Sequence, residues 1–153
     1  MSLAPQPSST SQNGHHLKPL RVLTWNANGI LLRKTELAHF LQTEDIDVAL
    51  ISESHLTSRS VADIRNYKMY TCNHPKDASH GGAAVYIRRT LSHHELPNYR
   101  TEQFQAACIS AKLHCGTSVT MAAVYSPPKH SISTNDYLNL FSHLGTKWIA
   151  GGD

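Results

Sequence analysis

The sequence is poor in cysteine, in charge and in long apolar runs. Its three cysteines, Cys72, Cys108 and Cys115, form no CxxC pair. That excludes a disulfide framework and a zinc knuckle, and reads as the reduced thiols of an intracellular protein. No apolar stretch approaches the ~20 residues that a membrane-spanning helix needs. The opening MSLAPQPSSTSQNGHHLKP also lacks the apolar core of a signal peptide. No internal repeat and no long basic run is present. A membrane is therefore not an expected partner, and the expected location is the nucleus or the cytoplasm.

What is present fits a soluble globular domain. Hydrophobic residues make up 40% and charged residues 16% of 153 residues, enough to bury a core and too apolar for a disordered chain. Fourteen Lys and Arg against 11 Asp and Glu leave a net charge of +3, which permits a polyanionic partner without requiring one. Eleven histidines would add positive charge at mildly acidic pH if several lay near a phosphate.

Residues 1–19, rich in Ser, Pro, Gln and Asn, read as a flexible leader, with order beginning near Leu20. LRVLTWN (Leu20 to Asn26) alternates as a strand does, and Asn28-Gly29 breaks it. Leu37, Phe40 and Leu41 place a helix over Lys34 to Glu44, and DVALIS (Asp47 to Ser52) is a strand covered on both faces. Strand, helix and strand in that order predict a right-handed crossover. KMYTCN (Lys68 to Asn73) and GGAAVYIRR (Gly81 to Arg89) read as neighbouring strands. Ala107, Ile109, Ala111 and Leu113 share one face of the next strand, and Val119, Met121, Ala123 and Tyr125 one face of the strand after it. A helix from about Asp136 to Leu144, capped by Thr134 or Asn135, precedes a last strand KWIAGG.

Apolar strands in this pattern finish on polar groups: Asn26, Glu53, Tyr125 and Asp153. Polar groups converging on one sheet edge are a common way to build a hydrolytic site. Singly, each has an ordinary reading. Glu53 is a solvated carboxylate or a ligand for Mg²⁺, which takes one or two carboxylates and keeps waters. Asn26 is a turn former, Tyr125 a core residue with its hydroxyl at the surface, and His55 a surface histidine that could meet a phosphate. Arg88, beside Arg89, is a solvated strand end or a contact for a nucleic-acid backbone.

Taken in order, LTWNANGI, DVALISESHL, GGAAVYIRR, AAVYSPP and WIAGGD resemble the endonuclease/exonuclease/phosphatase superfamily. They are most similar to the apurinic-type endonuclease domain of jockey-like non-LTR retrotransposon reverse-transcriptase proteins. The resemblance runs from about Leu20 to Asp153. It implies an α/β fold, a four-layer α/β/β/α sandwich of which the chain carries about the first half, with a domain over 20–153 cut short at its C-terminal side. It further implies that Glu53 holds a divalent metal, Mg²⁺ or Mn²⁺, with Asn26 orienting the metal and the attacked phosphate. Tyr125 would hydrogen-bond the phosphate and Asp153 would position or deprotonate the attacking water. Asn28 stands where DNA-repair relatives carry an Asp; with His55 and Arg88 it completes the candidates for phosphate or DNA contact.

The implied function is a metal-dependent endonuclease that nicks double-stranded DNA so that a downstream reverse transcriptase, carrying the element RNA, can prime on the free 3′-hydroxyl. The family's motif goes on past the Asp to an Asn and later to an Asp-His pair, all beyond Asp153. The chain is accordingly expected to supply roughly the first of two facing sheets, to expose an apolar sheet face, and to be inactive by itself. The alternatives are a phosphatase of the same superfamily and a non-catalytic remnant with weak nucleic-acid binding.

Overall fold

The computed structural model describes residues 18–153. The expected flexible leader lies outside the described residues up to residue 17. The elements in order are β1 (Val22–Asn26), α1 (Ile30–Thr43), β2 (Val48–Ser52), β3 (Tyr67–Cys72), β4 (Ala83–Arg88), β5 (His93–Glu95), β6 (Tyr99–Arg100), β7 (Gln105–Lys112), β8 (Ser118–Tyr125), α2 (Thr134–Leu144) and β9 (Trp148–Gly152). No helix among the described residues is long and apolar enough to cross a membrane.

Two sheets form. The first has the order β1-β2-β4-β3, with β1 and β2 parallel and the other pairs antiparallel. The second has the order β5-β7-β8-β9, with β8 and β9 parallel and β6 also pairing with β7. Strand β2 is buried throughout because its two faces serve two cores. Val48 and Leu50 look inward with Val85 and Ile87 of β4 onto Ala107, Ile109, Val119 and Met121 of the second sheet. Ala49 and Ile51 look outward with Tyr86 onto Leu37 and Leu41 of α1. On the far side, Leu140 and Leu144 of α2 cover Ala106, Cys108 and Ala122 of the second sheet.

The layers are therefore α1, first sheet, second sheet, α2, the four-layer arrangement the resemblance implied. The expectation of roughly one sheet with a bare apolar face is corrected: strands β7, β8 and β9 close over the first sheet, and Val48, Leu50, Val85 and Ile87 are at most 1% exposed. Both helix starts also differ from expectation. Helix α1 begins at Ile30, not Lys34, because the N–H groups of Gly29 and Ile30 find acceptors in the carbonyls of Glu53 and Ser54, at 2.9 and 3.0 Å. Helix α2 is capped by Ser133, whose hydroxyl accepts from the Asp136 N–H while the Asp136 carboxylate accepts from the Ser133 N–H, a reciprocal capping box. Phe40, expected on the apolar side of α1, is 45% exposed beside the free edge of β1.

At the end of the first sheet away from the strand ends described below, a polar knot ties α1 to the strands. The Tyr67 hydroxyl points at the carbonyls of Ile46 (2.5 Å) and Leu41 (3.1 Å). Arg88 reaches Asp45 at 2.8 Å and the Ile46 carbonyl at 2.9 Å. Tyr67 is 2% exposed, and deleting its hydroxyl removes one donor from each carbonyl, leaving Ile46 with Arg88 and Leu41 with the Ile46 N–H. Tyr67→Phe is expected to lower stability by about 1–2 kcal/mol. In urea titration that appears as a lower midpoint at unchanged slope.

Candidate metal and phosphate site

Four strands bring their last residues to one rim of the sandwich. The register sets Asn26 beside Ser52 across β1 and β2, Ser52 beside Ala83 at the start of β4, Val124 beside Gly152 across β8 and β9, and Gln105 beside Tyr125 across β7 and β8. Asn26, Ser52, Gln105 and Tyr125 share the parity of the inward-facing residues on their strands, so they stand at the mouth of the cleft between the sheets.

A hydrogen bond ties the two sheets together across the cleft. Asn26 Nδ2 donates to Asp153 Oδ2 at 2.6 Å, joining the end of the first sheet to the end of the second. Asn26 Oδ1 accepts from the Asn28 N–H at 3.0 Å, which fixes the amide plane. The approach depends on the glycines of WIAGGD. A Cβ at Gly151 would lie 2.7 Å from Thr24 Oγ1 and 3.2 Å from Leu50 Cδ1, and one at Gly152 would collide with the Val124 carbonyl. Asp153 is held further by its carbonyl, which accepts from the Ser126 N–H at 2.7 Å. Thr24, Trp25, Asn26, Ser52, Gly152 and Asp153 line a cavity of about 200 Å³.

Glu53 leaves β2 with φ +48, a left-handed conformation that is uncommon for a residue with a side chain. Its carboxylate is part-exposed and lies 3.6 Å from His55 Nε2. Tyr125 sits near both carboxylates. Burial, then the charges of Glu53 and Asp153, push its phenol above the usual tyrosine value, so the hydroxyl keeps its proton as a donor.

The candidates read from sequence thus fall into two groups. Asn26, Glu53, Tyr125 and Asp153 meet at the rim, with Asn28 and His55 beside them. Arg88 does not: it ends β4 five residues past Ala83, about 17 Å away at ~3.3 Å per residue, and its guanidinium is spent on Asp45, Asp47 and the face of the Tyr67 ring. Two rim residues were missed. Ser52, 1% exposed, has a hydroxyl with no partner among the described residues. Gln105, 3% exposed, accepts from the Gly82 N–H at 2.8 Å. A signal existed for Gln105, since it is the one polar residue preceding the inward Ala107, Ile109 and Ala111 on its strand.

No group of three His, Cys, Asp or Glu close enough to hold an ion exists among the described residues. The donors at the rim are hard oxygens, from Glu53, Asp153 and the Asn26 amide. That set fits Mg²⁺ or Mn²⁺, which keep several waters, better than zinc, which wants a closed set of nitrogen and sulfur ligands.

Two outcomes test this geometry. Gly151→Ala should cost about 1–3 kcal/mol by forcing β9 away from Thr24. Loss of protection of the Ser126 N–H in hydrogen exchange would report the same movement. Glu53→Gln should lower the Tyr125 titration midpoint, followed by NMR of ring-labelled tyrosine, because a departing negative charge makes the phenolate easier to form. Burial is the larger cause, so the midpoint should stay above the ordinary value of 10.0.

Residues 23–153 match the Endonuclease/Exonuclease/phosphatase family. The "RNA-directed DNA polymerase from mobile element jockey" of Drosophila melanogaster is 40% identical over 134 residues, which is 88% of this chain and 14% of that protein. The "Probable RNA-directed DNA polymerase from transposon X-element" of the same fly is 32% identical over 138 residues, 90% of this chain and 15% of that protein. The chain thus spans about a seventh of the length of these curated relatives. Among solved structures, the endonuclease domain of TRAS1, a telomere-specific non-LTR retrotransposon, superposes with a TM-score of 0.69 at 22% identity, covering 89% of this chain and 60% of that one. An AP endonuclease from Archaeoglobus fulgidus gives 0.60 at 17% identity, covering 88% and 57%. At those identities the structures speak for the fold, and the sequence matches for descent: the chain belongs to the endonuclease/exonuclease/phosphatase family.

Proposed function

We propose that this chain, from about residue 20 onward, is endonuclease sequence of a non-LTR retrotransposon protein. It would nick double-stranded DNA with the help of Mg²⁺ or Mn²⁺ and leave a 3′-hydroxyl for a reverse transcriptase. The observation that carries the reading is the meeting of Asn26, Glu53, Tyr125 and Asp153 at one cleft. Its relatives are named as RNA-directed DNA polymerases of mobile elements.

Phosphodiester hydrolysis needs a positioned water, a proton acceptor for it, and donors for the oxygens on which charge develops. Glu53, with Asn26 nearby, would hold the metal, which when bound offsets that developing charge. Asp153 presents a carboxylate that the Asn26 amide holds in one orientation, suited to accept the proton of the attacking water. Tyr125, kept protonated by its surroundings, donates to a phosphoryl oxygen without competing for the metal. Asn28 and His55 flank the same opening and suit the phosphates on either side.

The test is nicking of supercoiled plasmid in Mg²⁺. The 153-residue chain is assayed alone and joined to the segment that follows the matched region in the jockey protein. The joined form is expected to nick and the 153-residue form to lack activity. Glu53→Ala should abolish nicking, and Tyr125→Phe should slow it by about 10²–10³-fold, the usual loss for one donor to a developing oxyanion. Nicking that survives Glu53→Ala, or a joined form that never nicks, would refute the reading; nicking by the chain alone would refute only the need for the added segment.

A further inference from the structure

We propose that Gln105 is a positioning residue that sets the placement of Glu53 relative to Tyr125, acting through the turn at Gly81-Gly82; this rests on the reading of Glu53 as the metal-binding carboxylate. A buried amide is costly unless its polar atoms are paired. Gln105 begins β7 in the second sheet, and its Oε1 accepts from the N–H of Gly82, in the turn that leads into β4 of the first sheet. It is thus a side-chain link between the two sheets at the rim, separate from the Asn26–Asp153 bond.

What it holds is the backbone beside Glu53. The Gly82 carbonyl accepts from Ser54 N–H at 3.2 Å, and the Gly81 carbonyl from His55 N–H at 2.9 Å. From the other side, Gly29 N–H donates to the Glu53 carbonyl at 2.9 Å. Glu53 and His55, both left-handed at φ +48 and +53, are therefore clamped between α1 and the glycine turn. Such conformations persist only where the surroundings over-determine them. The turn is equally tight against Tyr125: a Cβ at Gly81 would lie 2.9 Å from Tyr125 Cε1 and 3.3 Å from Gln105 Oε1. Gly82 cannot carry a side chain either, since a Cβ there would meet Ser54 Oγ at 2.8 Å. One amide oxygen thus fixes a turn that touches the carboxylate's segment on one side and the phenol on the other.

The experiment compares Gln105→Met, which keeps the volume and removes the acceptor, with Gln105→Glu, which keeps an acceptor oxygen. Amide exchange in the 153-residue chain is read first. Gln105→Met should speed exchange at Ser54 and His55 by about tenfold, the scale of one lost hydrogen bond, with Val85 and Ile87 unchanged, and Gln105→Glu should restore protection. Binding of Mn²⁺, followed by the spectrum of the free ion, is read second. Gln105→Met should weaken it by about tenfold, the lower end of the usual effect of an outer-shell partner.

Unchanged exchange at Ser54 and His55 overturns the proposal. Faster exchange with unaltered Mn²⁺ affinity also overturns it, since Gln105 would then be structural glue and not a positioning residue. If Gln105→Met does not fold, Gln105→Asn withdraws the oxygen by one methylene and is held to the same two readouts. An unsubstituted chain whose Mn²⁺ binding is absent or indifferent to Glu53→Ala sinks the metal reading of Glu53, while the exchange data still decide whether Gln105 holds the segment.

Discussion

The two sheets come together closely at one end only because β9 has no side chain where it crosses β1. Gly151 lies against Thr24 at a distance that a Cβ could not occupy and tightly against Leu50, and that contact lets Asn26 and Asp153 share a hydrogen bond. The remainder follows from it. The inward faces of β2, β4, β7 and β8 supply burial that brings the sheets together along their length. Burial is non-directional and cannot specify where one carboxylate sits. The glycine contact and the amide-to-carboxylate bond turn a general attraction into a defined opening.

Around that opening the backbone is built from left-handed residues: Asn28 and Gly29 after β1, Glu53 and His55 after β2, Gly81 and Gly82 before β4. These three segments are laced to one another by main-chain hydrogen bonds, and the first turn of α1 takes its missing acceptors from the Glu53 segment. A helix that would elsewhere need a capping side chain here uses the site as its cap. Disturbing the site therefore disturbs α1, and a well-packed α1 in turn holds the site. The polar knot of Tyr67, Arg88, Asp45 and Asp47 does the matching work at the opposite end of the first sheet, which is why Arg88 has no charge to lend to the rim.

Much of this was legible in the residues and some was not, for identifiable reasons. Strands β1, β2, β3, β4, β7, β8 and β9 announced themselves by alternation or by continuous apolar runs, and the inward face of β7 and β8 was read correctly down to Tyr125. Alternation reports which residues share a face but not which sheet that face belongs to, so the second sheet was not foreseen as a closed layer. Strands β5 and β6 are three and two residues long and largely polar, below what any pattern resolves. The start of α1 was placed late because Leu31 and Leu32 point outward and break the apolar stripe. The residues that meet at the rim, Asn26, Glu53, Tyr125 and Asp153, are legible as candidates because each follows or ends an apolar strand. Gln105 was overlooked because it begins one.

The conformation of Glu53 also bears on how such a sequence ages. In the left-handed region a Cβ costs roughly 1–2 kcal/mol, a cost that glycine escapes and asparagine largely avoids. The fold by itself would therefore be more comfortable with glycine or asparagine at position 53. Under the role proposed for Glu53, stability and activity would pull in opposite directions there. If Glu53 has the role proposed for it, a relative no longer selected for that chemistry would gain from losing this glutamate before any core residue, and the residue at position 53 would record whether the cleft is in use.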